Sequence, residues 1–101
     1  MGASIVEVSG SKIDTFKFHK QLETLYQSDA KVICVDARKC DYMNSYTLGT
    51  VIYYYSLLMK QNRKIIMMLS EDKENYMNRL FEMTGLEKLF EIVRNLNEII
   101  E

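Results

Sequence analysis

With 101 residues, nearly half of them apolar, the chain has the size of one small domain and enough apolar material for a core. A formal net charge of −1 excludes the basic face that non-specific nucleic-acid binding requires, and no apolar run approaches the roughly 20 residues that cross a bilayer. Only two cysteines, Cys34 and Cys40, and an N-terminus without a basic patch and apolar stretch make a cytoplasmic protein the expectation.

Ser4 to Val8, with Ile5, Val6 and Val8, reads as a strand, and Ser9-Gly10-Ser11 as the turn after it. Asp14 is the expected N-cap of a helix from Thr15 to about Gln27, with Phe18, Leu22, Leu25 and Tyr26 on one face. Lys31 to Asp36 carries Val32-Ile33-Cys34-Val35, an unbroken apolar run of the kind that central parallel strands show. Ala37 to Asn44 is expected to be a loop. A helix follows from Tyr46 to Gln61, entered at Ser45, and Lys64 to Leu69 is the third strand. Ser70 or Asp72 is expected to cap a helix from Lys73 to Thr84, whose apolar face is Met77, Leu80, Phe81 and Thr84 and whose left-handed C-terminal residue is Gly85. Leu89 to Ile92 reads as a short edge strand. Asn95 and Glu98 resemble a capping box opening a brief last helix with Leu96, Ile99 and Ile100. The order β-α-β-α-β-α-β-α implies a single α/β domain: a mostly parallel, mixed sheet of about four strands with flanking helices and right-handed crossovers.

Few residues offer chemistry. Cys34, Cys40 and His19 lack the tight spacings of a structural zinc site, so the cysteines read as core and loop and His19 as a surface helix residue. Asp36 and Asp41 near a strand end read as solvated or capping aspartates. The sequence contains no Gly-rich phosphate loop, nucleophile elbow or paired catalytic carboxylates, so neither an enzyme nor a cofactor is expected. Ser45 stands out because a hydroxyl at a helix entrance either caps backbone N–H groups or accepts a modification. On the helix that follows, Leu48, Val51, Ile52, Tyr55, Leu58 and Met59 fall on one face, expected to be core. Tyr46, Thr50, Tyr53, Tyr54 and Leu57 fall on the opposite side, charged only by Lys60. A face so poor in charge and rich in tyrosine suggests a covered one, by a partner or a second copy of the chain in a homodimer.

These residues resemble a STAS domain, the fold of bacterial anti-sigma-factor antagonists, over nearly the whole chain. Asn44-Ser45-Tyr46-Thr47-Leu48-Gly49 is similar to the family signature Asp-Ser-Ser/Thr-Gly-Leu-Gly. Arg79-Leu80-Phe81-Glu82-Met83-Thr84-Gly85-Leu86, then Leu89-Phe90, is similar to its third helix and following turn. Asn44, Tyr46 and Thr47 depart from the signature, and the family's first strand is missing or shortened. The resemblance implies a binding module whose partner is an anti-sigma factor that is also a serine kinase. Ser45 would be the phosphoacceptor, reset by a serine phosphatase, and Asn44, Tyr46 and Thr47 would join the tyrosine face in partner binding. The alternative that the family offers is a non-phosphorylated STAS subunit of a larger complex, for example in phospholipid transport.

Overall fold

The computed structural model describes residues 3–99, which form four strands and three α-helices. Strand β1 (Ser4–Gly10) leads to helix α1 (Thr15–Gln27), β2 (Val32–Cys40), α2 (Ser45–Met59), β3 (Lys64–Met68), α3 (Tyr76–Thr84) and β4 (Glu91–Val93). Short 3₁₀ turns at Leu86–Lys88 and Leu96–Glu98 flank the last strand.

The strands lie in the order β1-β2-β3-β4, and every neighbouring pair is parallel. The sheet is therefore wholly parallel among the described residues rather than mixed. Val32 to Asp36 of β2 pair with Lys64 to Met68 of β3, and α2 is the crossover between them. With no reversal in the strand order, successive crossovers of one hand set the helices on one face. Val6, Val8, Ile33, Val35, Ala37, Ile65 and Met67 accordingly join Phe18, Leu22, Val51, Leu58, Met77 and Phe81 in one core. The alternate residues Val32, Cys34, Ile66, Met68 and Val93 form a second cluster on the other face, packed by Ala3 and Ile99. Helices thus cover one face, not two.

Local signals act where they were expected in α1 and at the end of α3. The Asp14 side chain accepts a hydrogen bond from the Lys17 N–H at 3.0 Å, and Gly85 adopts φ 78°, the left-handed region open to glycine. Elsewhere longer-range pairing overrules the local signal. β1 runs on to Gly10, and β2 continues four residues past Asp36, because Ser9 and Gly10 pair with Lys39 and Cys40 beyond a register shift. Cys40, expected in a loop, is a buried strand residue. α3 starts at Tyr76, not Lys73: Asn75 caps it by accepting from the Asn78 N–H, while Ser70 and Asp72 organise the preceding loop. α2 ends at Met59, two residues before Gln61. The last helix is only one 3₁₀ turn, with the Glu98 carboxylate accepting from the Arg94 N–H, and Ile100 lies outside the described residues.

One long-range contact ties the layers together. Arg63, just before β3, donates from Nε to the Ala30 carbonyl at 2.8 Å and from Nη1 to the Tyr26 carbonyl at 2.9 Å. Its Nη2 reaches the carbonyls of Leu25 and Ser28, both at 3.1 Å. A single guanidinium thus reaches four carbonyls in and just after the last turn of α1, of which that of Leu25 also accepts from Ser28.

Candidate functional site

The entrance to α2 is held from below by the buried side chain of Met43, whose carbonyl accepts from the Tyr76 hydroxyl at 3.2 Å. Asn44 then turns the chain into the helix. Its side-chain oxygen accepts from the Thr47 N–H at 2.8 Å, so the N-cap is Asn44 and not Ser45. Ser45 becomes the first residue of the helix and is exposed. The capping role and the free hydroxyl, alternatives for a single serine in the sequence, are divided between two residues.

Only part of the expected outer face is outside. Tyr46 and Tyr53 are 57% and 56% exposed, but Thr47, Thr50 and Tyr54 are 1%, 6% and 5% exposed and add little area to an open partner surface. Leu57 is half-buried and packs against the core, and Met59, expected inside, is exposed. The cause is α1. It packs along α2, so α2 is covered by the sheet on one side and by a helix on the next, and a wheel drawn for one buried face places Thr50 and Tyr54 wrongly. Thr50 accommodates burial by donating its hydroxyl to the Tyr46 carbonyl at 3.0 Å. The Thr47 hydroxyl is buried without a partner. Tyr55, expected to be fully core, is half-buried, its ring 4.6 Å from that of Phe90 and its hydroxyl donating to the Leu89 carbonyl.

His19 occupies the seam between the two helices. Its Nδ1 lies 3.4 Å from the Tyr46 hydroxyl and its Nε2 3.2 Å from the Tyr54 hydroxyl. The ring stacks on Tyr46 and meets Tyr54 edge-on. Burial pushes the Tyr54 hydroxyl pKa up, so it stays protonated and able to donate. In sequence His19 looked like a surface residue without partners; its two tyrosines lie 27 and 35 positions away.

His19, Ser45, Tyr46, Gly49, Thr50 and Tyr53 line an open groove of about 340 Å³. Gly49 lies inside the helix, exposed, and a Cβ built there meets nothing within 4 Å. An interior helix glycine costs roughly 0.8–1.0 kcal/mol relative to alanine. Packing gives no reason for that cost; a bare patch of backbone beside Ser45 leaves room for a partner to approach closely.

Asp36 and the two cysteines have structural roles. Burial pushes the Asp36 carboxyl pKa up, but two hydrogen bonds from the Arg38 guanidinium, at 3.0 and 2.9 Å, outweigh it and hold the group below the usual carboxylate range. Asp36 is thereby committed to an ion pair. Burial pushes the Cys34 thiol up to about 11 and raises Cys40 as well, which removes both as nucleophiles at neutral pH. Among the described residues no group of three His, Cys, Asp or Glu side chains is placed to hold a metal ion, and no helix is long and apolar enough to cross a membrane. Among the described residues the strand order has no reversal, and so no switch-point crevice of the kind where open α/β sheets take up ligands.

Comparison with known proteins adds no family assignment: no protein-family model and no curated protein matches this chain.

Proposed function

We propose that the chain is a STAS-type anti-sigma-factor antagonist, a binding module that switches partners when Ser45 is phosphorylated by the anti-sigma factor/serine kinase it binds and is reset by a serine phosphatase. The observation that carries this reading is the position of Ser45. It is exposed, relieved of capping by Asn44, and set on the rim of a groove flanked by two exposed tyrosines and a glycine that packing does not require. A phosphate there gains from the N-terminal end of α2, so the fold survives modification. A partner seated over Tyr46 and Tyr53 would have to desolvate that dianion, which ends binding without unfolding anything.

The test is intact-mass spectrometry after incubation with ATP and the anti-sigma factor/serine kinase of the same organism. The expected result is a gain of one phosphate, lost in Ser45→Ala, with release of the complex. Phosphate on Thr47 or Ser56 with Ser45 untouched refutes the assignment.

One observation favours a second reading, a STAS subunit of a larger complex without the switch. Tyr46 puts a bulky, exposed ring directly beside the acceptor hydroxyl, where the family signature has a small residue. Stable co-purification with a partner and no phosphate transfer under any kinase would establish that reading instead.

A further inference from the structure

The two nitrogens of His19 meet hydroxyls in opposite surroundings. Tyr54 is 5% exposed, and its approach to Nε2 at 3.2 Å is the one hydrogen bond of that hydroxyl among the described residues. Tyr46 is 57% exposed, so its hydroxyl, 3.4 Å from Nδ1, is also open to water. A buried hydroxyl that only accepts leaves its own proton without an acceptor, which is costly. The Tyr54 hydroxyl therefore donates and Nε2 accepts. A neutral imidazole that accepts at Nε2 carries its proton on Nδ1, and that N–H faces the Tyr46 hydroxyl.

The same contact chooses where the Tyr46 ring lies. At about 100° per residue, Tyr46 stands between the covered side of α2, with Thr50 and Tyr54, and the open side, with Gly49 and Ser45. A helical tyrosine has two staggered choices, χ1 of about 180° or −60°. The stack on His19, with 22° between the ring planes, and the hydroxyl contact hold the ring against α1. Turned away from α1, the ring swings over Gly49, where even a Cβ meets nothing within 4 Å. Side chains on a helix lean towards its N-terminus, so the ring then reaches the level of Ser45.

We propose that His19 is a positioning residue of the Ser45 site: set as the Nδ1–H tautomer by the buried Tyr54 hydroxyl, it pins the Tyr46 ring against α1 and keeps the Ser45 hydroxyl open to an incoming kinase. The inference rests on the reading of Ser45 as a phosphoacceptor. It also removes the obstacle that a bulky neighbour presents to that reading, because the ring beside the acceptor is tied to α1 and does not lie across it.

His19 is the one histidine of the chain, so its ring nitrogens are identified directly in nitrogen-15 spectra. At a pH where an imidazole is neutral, the spectra are expected to show a protonated Nδ1 and a bare Nε2. Tyr54→Phe should return the ring towards the Nε2–H form that predominates in water. Access to position 45 is measured as the rate at which iodoacetamide alkylates Ser45→Cys; Cys34 and Cys40 are buried, and their failure to react reports an intact fold. Adding His19→Ala should slow alkylation at least about twofold, since a ring shared between two wells leaves the site open about half of the time. Adding Tyr46→Ala as well should restore the rate, because the ring is the obstruction. The proposal is overturned if the proton sits on Nε2, if His19→Ala leaves the rate unchanged while Cys34 and Cys40 stay unreactive, or if the rate stays low without the Tyr46 ring. Neither readout involves a kinase or a phosphate, so a failure to phosphorylate Ser45 refutes the switch alone, and these failures refute the role of His19 alone.

Discussion

Tyr53 and Tyr54 are adjacent in sequence, stand 5.1 Å apart ring to ring, and should respond to truncation in opposite ways. Tyr54 is almost fully enclosed by α1, with His19 at 5.6 Å and Tyr26 at 5.7 Å between ring centres. An aromatic side chain that buries about 170 Å² is worth roughly 4 kcal/mol at 25 cal/mol per Å². Compactness of the unfolded chain reduces this to about 3 kcal/mol, and the lost hydroxyl contact with His19 restores about 0.5–1. Tyr54→Ala should therefore cost about 3–4 kcal/mol, lowering the melting temperature by roughly 15–25 °C in a domain of this size. Tyr54→Phe isolates the hydroxyl and should cost about 1 kcal/mol. Tyr53 is more than half exposed, and regained side-chain freedom offsets part of its smaller burial, so Tyr53→Ala should cost about 1 kcal/mol or less. Partner binding, by contrast, should weaken at least about tenfold in Tyr53→Ala or Tyr46→Ala if these rings anchor the interface. Urea titration followed by circular dichroism measures stability, and titration with the isolated partner measures binding. Equal destabilisation by Tyr53→Ala and Tyr54→Ala would refute the division of α2 into a face covered by α1 and a face left open.

The same structure constrains substitutions at five further positions. Asn44→Ala should cost about 1 kcal/mol, because it removes the cap, whereas Ser45→Ala should change stability by less than about 0.5 kcal/mol in the same urea titration. Gly49→Ala should stabilise the fold by up to about 1 kcal/mol and weaken partner binding, a pairing read from one melt and one titration. Arg63→Met should cost about 2–3 kcal/mol, since the Tyr26 and Ala30 carbonyls lose their donor while the Leu25 carbonyl keeps Ser28; Arg63→Lys should recover only part, and hydrogen exchange should localise the loss to the end of α1. Asp36 binds its proton more weakly folded than unfolded, so its contribution is present above the ordinary aspartate range near pH 3.9 and is lost as pH falls through the lower folded value; Arg38→Met removes the guanidinium's hydrogen bonds and charge, leaving burial opposed only by the N–H of residue 38 and by Lys39, and the acid transition should begin at higher pH.

Much of this domain is written in short-range code. Asp14 caps α1, Gly85 ends α3, and the apolar runs at Val32 and Ile65 become adjacent parallel strands, because each depends on residues within a few positions or on an uninterrupted pattern. The serine at the head of α2 was visible for the same reason. Tertiary structure decided the rest. Which of Asn44 and Ser45 caps is a matter of one side-chain rotamer aimed at the Thr47 N–H. Which face of α2 is open depends on α1 lying against it, and nothing in the periodicity of residues 45–59 encodes a second covered side. His19 acquired its tyrosines, Arg63 its carbonyls and Cys40 its strand partner from segments about 27 to 38 positions distant. Local pattern tells a residue whether to be inside a helix or a strand; only the packing of one element on another, driven by apolar area shared between distant parts of the chain, tells it what it touches.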